Sequence, residues 1–202
     1  EEITRKRSKR LLREIHNFRK LCQHPNIVDF YGICIHDFQA LICMELMDLS
    51  LKHLYINVYK AKEFFKEELL GYIAVKMVDA MQFCKTNGII HRDIKPSNIL
   101  VNYSGDVKLC DFGESRLLDN SFVTTQCVGT EVYLPPERVV NSDSKYDIRA
   151  DIWSLGITLM EIALGRLPYL LEISAINFHE SDPENLEEQK SKASAWALVA
   201  YN

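Results

Sequence analysis

No two of the eight glycines are spaced as Gly-x-Gly, no two of the six cysteines form Cys-x-x-Cys, and no apolar run reaches membrane-spanning length. The first absence removes the glycine-rich loop that would cover a nucleotide phosphate. The second excludes a zinc ribbon or a thioredoxin-type motif. Cys22, Cys34, Cys43, Cys84, Cys110 and Cys127 are scattered, mostly within apolar runs, and read as free thiols in a reducing compartment. The third excludes a bilayer helix, which needs roughly 18 to 20 apolar residues. With no signal-like opening either, a cytoplasmic or nuclear protein is expected. Strong charge of one sign is also missing: 24 basic against 28 acidic residues leave −4. That gives no reason to expect nucleic acid or an anionic membrane as a partner. No internal repeat is visible.

What is present is a chain of 202 residues, 47% of them hydrophobic, enough for a sizeable core. Its charge is uneven. Arg5, Lys6, Arg7, Lys9, Arg10 and Arg13 make the start basic, either as the solvated face of an amphipathic helix or as a docking or import signal. Residues near 180 to 192 are acidic and polar, followed by a small apolar tail.

The apolar positions from Ile3 to Leu21 recur near a 3.6-residue period and predict a helix ended by His24-Pro25-Asn26. Residues 27–35 and 39–45 predict two strands around His36-Asp37. Helices are expected over 51–59 and 66–85, the second capped by Asn87-Gly88. A strand pair follows at 99–102 and 107–110, joined by Ser104-Gly105. Residues 114–134, polar and without periodicity, predict a loop, and Asp151 to Leu164 a strongly apolar helix closed by Gly165 and Pro168.

The most specific stretch is His91-Arg92-Asp93-Ile94-Lys95-Pro96-Ser97-Asn98, followed after a hairpin by Asp111-Phe112-Gly113. Phosphoryl transfer asks little covalent chemistry of a protein. It requires the phosphate, its metal ions and the acceptor oxygen to be held in line while charge is neutralised. Two aspartates, an asparagine and a lysine at this spacing suit that task, and the pattern resembles the protein kinases.

Several further stretches extend the resemblance to the MAP kinase kinases, especially their stress-activated branch: Lys95 to Asn102, Val107 to Gly113, Gly129 to Arg138 and Tyr146 to Ile157. It covers roughly residues 11 to 169. The fold it implies is α+β and kinase-like, with a partial small lobe (helix and later strands, residues 1–47 including the hinge) and a mainly helical large lobe (48–169). The chain would be incomplete at both ends, with a divergent tail over 170–202.

The resemblance implies roles residue by residue. Asp93 accepts or orients the substrate hydroxyl proton, Lys95 reaches the γ-phosphate, and Asn98 and Asp111 ligate Mg²⁺, the expected cofactor with ATP. Met44 guards the back of the adenine pocket, and the backbones of Glu45 and Met47 bind adenine. His91 and Phe112 belong to a hydrophobic spine completed by Phe18 and Phe30. Glu14 fits the helix glutamate whose lysine partner stands upstream, and no Val-Ala-Ile-Lys pattern supplies that lysine. Ser121 and Thr125 coincide with the two activating phosphorylation sites, with Thr124 as a competing acceptor. Cys110 is either a buried thiol or one reachable beneath the nucleotide. Glu137 expects an arginine that residues 170–202 do not supply, leaving a costly buried carboxylate.

The implied function is a dual-specificity kinase that phosphorylates Thr and Tyr of a MAP kinase. Its partners would be an upstream MAP kinase kinase kinase and a scaffold, with no nucleic acid and no membrane. The alternative is a truncated, catalytically impaired chain acting as a binding module.

Overall fold

The structure, a computed structural model, describes residues 15–17, 19–37, 39–113, 115–117, 131–140 and 148–171. Of the helix expected over residues 3–21, residues 15–17 and 19–21 are described and are helical. The basic run, Glu14 and Phe18 lie outside the described residues.

Strands β1 (Phe30–His36) and β2 (Gln39–Met44) form an antiparallel hairpin. β1 starts three residues later than the sequence predicts. The reason is that the preceding residues are engaged elsewhere: the Val28 N–H donates to Leu109 O at 3.0 Å and the Leu109 N–H to Asn26 O at 2.9 Å. The Asn26 side chain adds a bond to Val107 O at 3.0 Å. Residues 26–28 therefore tie the hairpin to the sheet below it, and the bonds that would have lengthened β1 go there instead.

That sheet runs β3 (Leu49–Ser50), β5 (Ile99–Val101), β6 (Val107–Leu109), all antiparallel. A third pairing joins β4 (Ile89–Ile90) to β7 (Arg116–Leu117). β7 lies inside the stretch expected to be a loop. Two residues are too few to leave a period-2 signature. The rest of that stretch, from 118 to 130, lies outside the described residues.

Helix α1 spans Leu51–Lys60 and is capped by the Ser50 hydroxyl, which accepts the His53 N–H. Helix α2, Glu67–Thr86, lies at the centre of the core. Its residues Ile73, Met77, Ala80, Met81 and Cys84 fall at i, i+4, i+7, i+8 and i+11, forming one stripe, and all are buried. Each large apolar side chain so buried contributes about 1.5–3 kcal/mol. The helix stops at Asn87, and Gly88 takes φ +70°, the left-handed geometry that ends helices. A short helix α3 (Pro136–Val140) precedes α4 (Ile148–Leu164), which begins three residues before the expected Asp151. Leu155 and Ile162 of α4 join the α2 stripe, Leu51, Leu109 and Phe112 in one core.

The Glu137 expectation fails. Its side chain, in the first turn of α3, is exposed, so the penalty for an isolated buried carboxylate does not arise. Among the described residues no helix is long and apolar enough to cross a membrane.

Candidate active site

The buried strand β4 delivers the chain into His91-Arg92-Asp93. This turn hangs from α4. Asp151, 1% exposed, accepts the His91 N–H at 2.8 Å and the Arg92 N–H at 2.9 Å, one on each carboxylate oxygen. Arg92 is held at φ +73°, a left-handed conformation costing roughly 1–2 kcal/mol for a residue with a Cβ. The His91 ring faces inward. Its Nδ1 accepts the Asp93 N–H at 3.3 Å, which leaves Nε2 as the donor to Cys110 O at 2.9 Å. The edge of the same ring meets Phe112 at 4.8 Å between centroids, with both side chains fully buried. The structure thus brings together two of the four residues expected to stack. Phe30 is partly buried against the same core, and Phe18 lies outside the described residues.

Asp93 is buried and held by the two residues predicted to act with it. Lys95 Nζ lies 2.7 Å from Asp93 Oδ2. Asn98 Nδ2 donates both to Asp93 O at 2.8 Å and to Asp93 Oδ2 at 2.9 Å. Burial, the strongest influence on Asp93, pushes its pKa up. The Lys95 hydrogen bond and charge, helped by His91 and the Asn98 amide, outweigh it and hold the carboxyl below its ordinary value. The spacing is produced by a 3₁₀ turn over Pro96–Asn98, closed by the Asn98 N–H on Lys95 O at 3.0 Å. A further bond from the Cys110 N–H to Asn98 O at 2.9 Å ties this turn to the residue before Asp111, just past the end of β6.

Asp111 stands at φ +61°, where its Oδ1 accepts the Gly113 N–H at 3.2 Å. Non-glycine residues in this region cluster at functional sites. Because both protons of the Asn98 amide point at Asp93, its Oδ1 faces away as an acceptor. Asn98 Oδ1 and the Asp111 carboxylate are both hard oxygen donors, the ligand chemistry that fits Mg²⁺. Among the described residues no three His, Cys, Asp or Glu side chains cluster as a self-sufficient metal site. A cation bound through few protein ligands, with water and phosphate completing its shell, suits such a pair. Cys110 is buried, and that burial pushes its thiol up to about 12. The inert-thiol reading therefore holds.

Met44 ends β2 opposite Phe30, 37% exposed. The Glu45 N–H is spent on Asp29 O at 2.9 Å. Its carbonyl and the Met47 backbone take no backbone partner among the described residues. The Glu45 carboxylate also accepts two hydrogen bonds from Lys108 Nζ, both at 2.7 Å, which clamp the end of β2 to β6. The sequence reading did not single out Lys108. As the middle residue of an otherwise buried three-residue strand, it reads as an outward-facing position.

Asp151 and Glu161 were also missed. Tyr55 of α1 and Tyr133 each donate a hydroxyl to Glu161, which is 4% exposed, at 2.6 and 2.5 Å. Ser154 Oγ fixes the Tyr133 carbonyl at 2.8 Å. A signal was available for both acids: each sits in a strongly apolar helix, where a carboxylate needs dedicated donors. Ser121 and Thr125 lie outside the described residues, as does Glu14.

The family model of the protein kinase domain matches residues 1–197. The chain is 52% identical over 162 residues to MAP kinase kinase mkk-4 of Caenorhabditis elegans, covering 79% of this chain and 44% of that protein. The dual specificity mitogen-activated protein kinase kinase sek-1 of the same organism is 44% identical over 163 residues, 80% of this chain and 48% of its own length. The dual specificity mitogen-activated protein kinase kinase hemipterous of Drosophila melanogaster is 42% identical over 163 residues, 80% of this chain and 14% of its own. The chain spans less than half the length of these relatives.

Proposed function

The chain belongs to the protein kinase family, and on that premise we propose that it is the central part of a dual-specificity MAP kinase kinase. The whole protein would move the γ-phosphate of ATP onto Thr and Tyr in the activation loop of a MAP kinase within a stress-signalling cascade. The observation that carries this reading is the buried Asp93, held at one oxygen by both Lys95 and Asn98. The names of the three relatives favour the MAP kinase kinase tier.

Asp93 stays ionised at neutral pH because its carboxyl is held below the ordinary value. It is therefore a weak base, suited to accepting a hydrogen bond from the substrate hydroxyl and aligning that oxygen for attack. Lys95, already fixed beside it, places positive charge where the transferring phosphoryl group passes. Bound Mg²⁺ supplies charge neutralisation at the phosphate oxygens, and Asn98 and Asp111 would hold it. An upstream MAP kinase kinase kinase acts at Ser121 and Thr125, where each phosphate adds about −1.5 to −2 charges. A scaffold partner and a cytoplasmic or nuclear location complete the proposal.

The test compares this protein with its Asp93→Asn variant after treatment with an upstream kinase. Phosphate should enter a MAP kinase at Thr and Tyr with the first and fall to background with the second. Equal incorporation by both sinks the catalytic assignment. No incorporation by either, with MAP kinase still bound, supports the alternative of a binding module.

A further inference from the structure

Two cysteine thiols stand side by side on the β1–β2 hairpin. Cys34 and Cys43 are both exposed, with their sulfurs 3.9 Å apart. The strand register sets Cys34 opposite Leu41 and Cys43 opposite Gly32, so the two cysteines are diagonal neighbours on one face. Gly32 presents no side chain beside Cys43, and an added Cβ there would meet nothing within 4 Å. The ground around the two sulfurs is open.

This spacing discriminates between two fates of a dithiol. Diagonal positions of an antiparallel pair stand about 7–8 Å apart at Cα, wider than the roughly 4.4–6.8 Å of a disulfide. Direct S–S closure therefore requires backbone movement. A bridging atom does not. A centre bonded to both sulfurs holds them farther apart than an S–S bond does, and small side-chain rotations reach that span from the 3.9 Å already present.

We propose that Cys34 and Cys43 form a bidentate dithiol site for trivalent organoarsenicals, which accept two sulfurs from one side. The reaction is a condensation. Two S–H bonds and two As–OH bonds break, two As–S bonds form and two waters leave, while arsenic remains trivalent. The Cys43 thiol donates to the Cys34 sulfur, and that contact raises Cys34 above the ordinary thiol range. Each thiol proton departs with an arsenic hydroxyl as water.

The remaining described cysteines provide the contrast. Cys84 and Cys110 are buried and Cys22 is partly buried; none has a second sulfur within hydrogen-bonding distance among the described residues. The test treats the phosphine-reduced protein with phenylarsine oxide and reads intact mass and cysteine-containing peptides. One phenylarsenic should be gained with loss of two hydrogens, map to the peptides holding Cys34 and Cys43, survive excess monothiol, and be removed by 2,3-dimercaptopropanol. Cys34→Ser and Cys43→Ser should each lose the monothiol-resistant adduct, while Cys22→Ser keeps it. A resistant adduct that persists in Cys34→Ser, or maps to any other cysteine, overturns the proposal. So does a Cys34–Cys43 disulfide forming readily in air, since it would show that the spacing does not favour bridging.

Discussion

Asp151 accepts the backbone N–H of Arg92 at 2.9 Å and so holds that residue in a left-handed conformation at φ +73°. Its other oxygen holds His91 at 2.8 Å. A side chain of α4 thus sets the direction in which Asp93 leaves β4. Asp151→Ala would orphan two buried donors at about 1–3 kcal/mol each and release the strained turn. The expected outcome is a urea-unfolding free energy lower by about 2–5 kcal/mol, with phosphotransfer lost at the same time. Asp151→Asn keeps one acceptor and should cost roughly half as much. A stability change of Asp151→Ala within about 0.5 kcal/mol would remove Asp151 from this role.

Lys95 Nζ lies 2.7 Å from Asp93, and its charge opposes the burial that pushes the carboxyl up. Lys95→Met should therefore raise the Asp93 pKa, measurable by carboxyl-carbon NMR titration. The stability consequence follows in sign. With its folded value below the unfolded one, Asp93 contributes stability above the ordinary carboxylate range, near pH 4. That contribution disappears as pH falls through the folded pKa. Lys95→Met should shrink it, so the variant's acid unfolding resembles that of a protein without this pair. An unmoved Asp93 titration would mean that Asn98 and His91, rather than Lys95, hold the carboxyl down.

The parts of this site that were legible in sequence are those where spacing fixes geometry. Asp93, Lys95 and Asn98 fall within six residues, so one 3₁₀ turn brings them together. Phe112 follows Asp111 directly and meets His91 once β5 and β6 pair. The missed residues act across long separations: Asp151 is 60 positions from His91, and Tyr55 is 106 from Glu161. No local pattern records such partners, and an apolar helix containing an acid announces a need for donors without naming them. The β1 boundary failed for the same reason. Ile27 and Val28 are strand-like residues whose backbone partner is Leu109, far along the chain.

Glu161 offers one carboxylate oxygen to Tyr55 and the other to Tyr133. Glu161→Gln keeps one acceptor but turns an N–H₂ donor toward the second hydroxyl, a mismatch in a buried site. A loss of about 1–3 kcal/mol is expected, and Tyr133→Phe in that background should cost less than in wild type because the bond is already gone. Burial first, then Glu161, pushes both phenols above their ordinary range. Raised folded values mean their contribution is whole below the unfolded tyrosine pKa, near 10, and fades as pH rises beyond it. Alkaline unfolding followed by tyrosinate absorbance should therefore show these two phenols ionising with unfolding. Ionisation before it would break the proposed network.

Cys84 and Cys110 are buried, and burial pushes each thiol up to about 12. Near neutral pH the thiolate is therefore scarce at either site, and the surrounding core blocks approach even then. Cys34 and Cys43, both exposed, have no such shield. In native protein iodoacetamide should label the exposed pair, whereas Cys84 and Cys110 should react only in step with urea unfolding, read by peptide mass spectrometry. The distinction bears on the proposed nucleotide site, because Cys110 immediately precedes Asp111 and its carbonyl accepts from His91. If Cys110 is alkylated in the native state as fast as Cys34, the segment carrying Asp111 opens without global unfolding, and the packing of His91 on Phe112 is not what holds it.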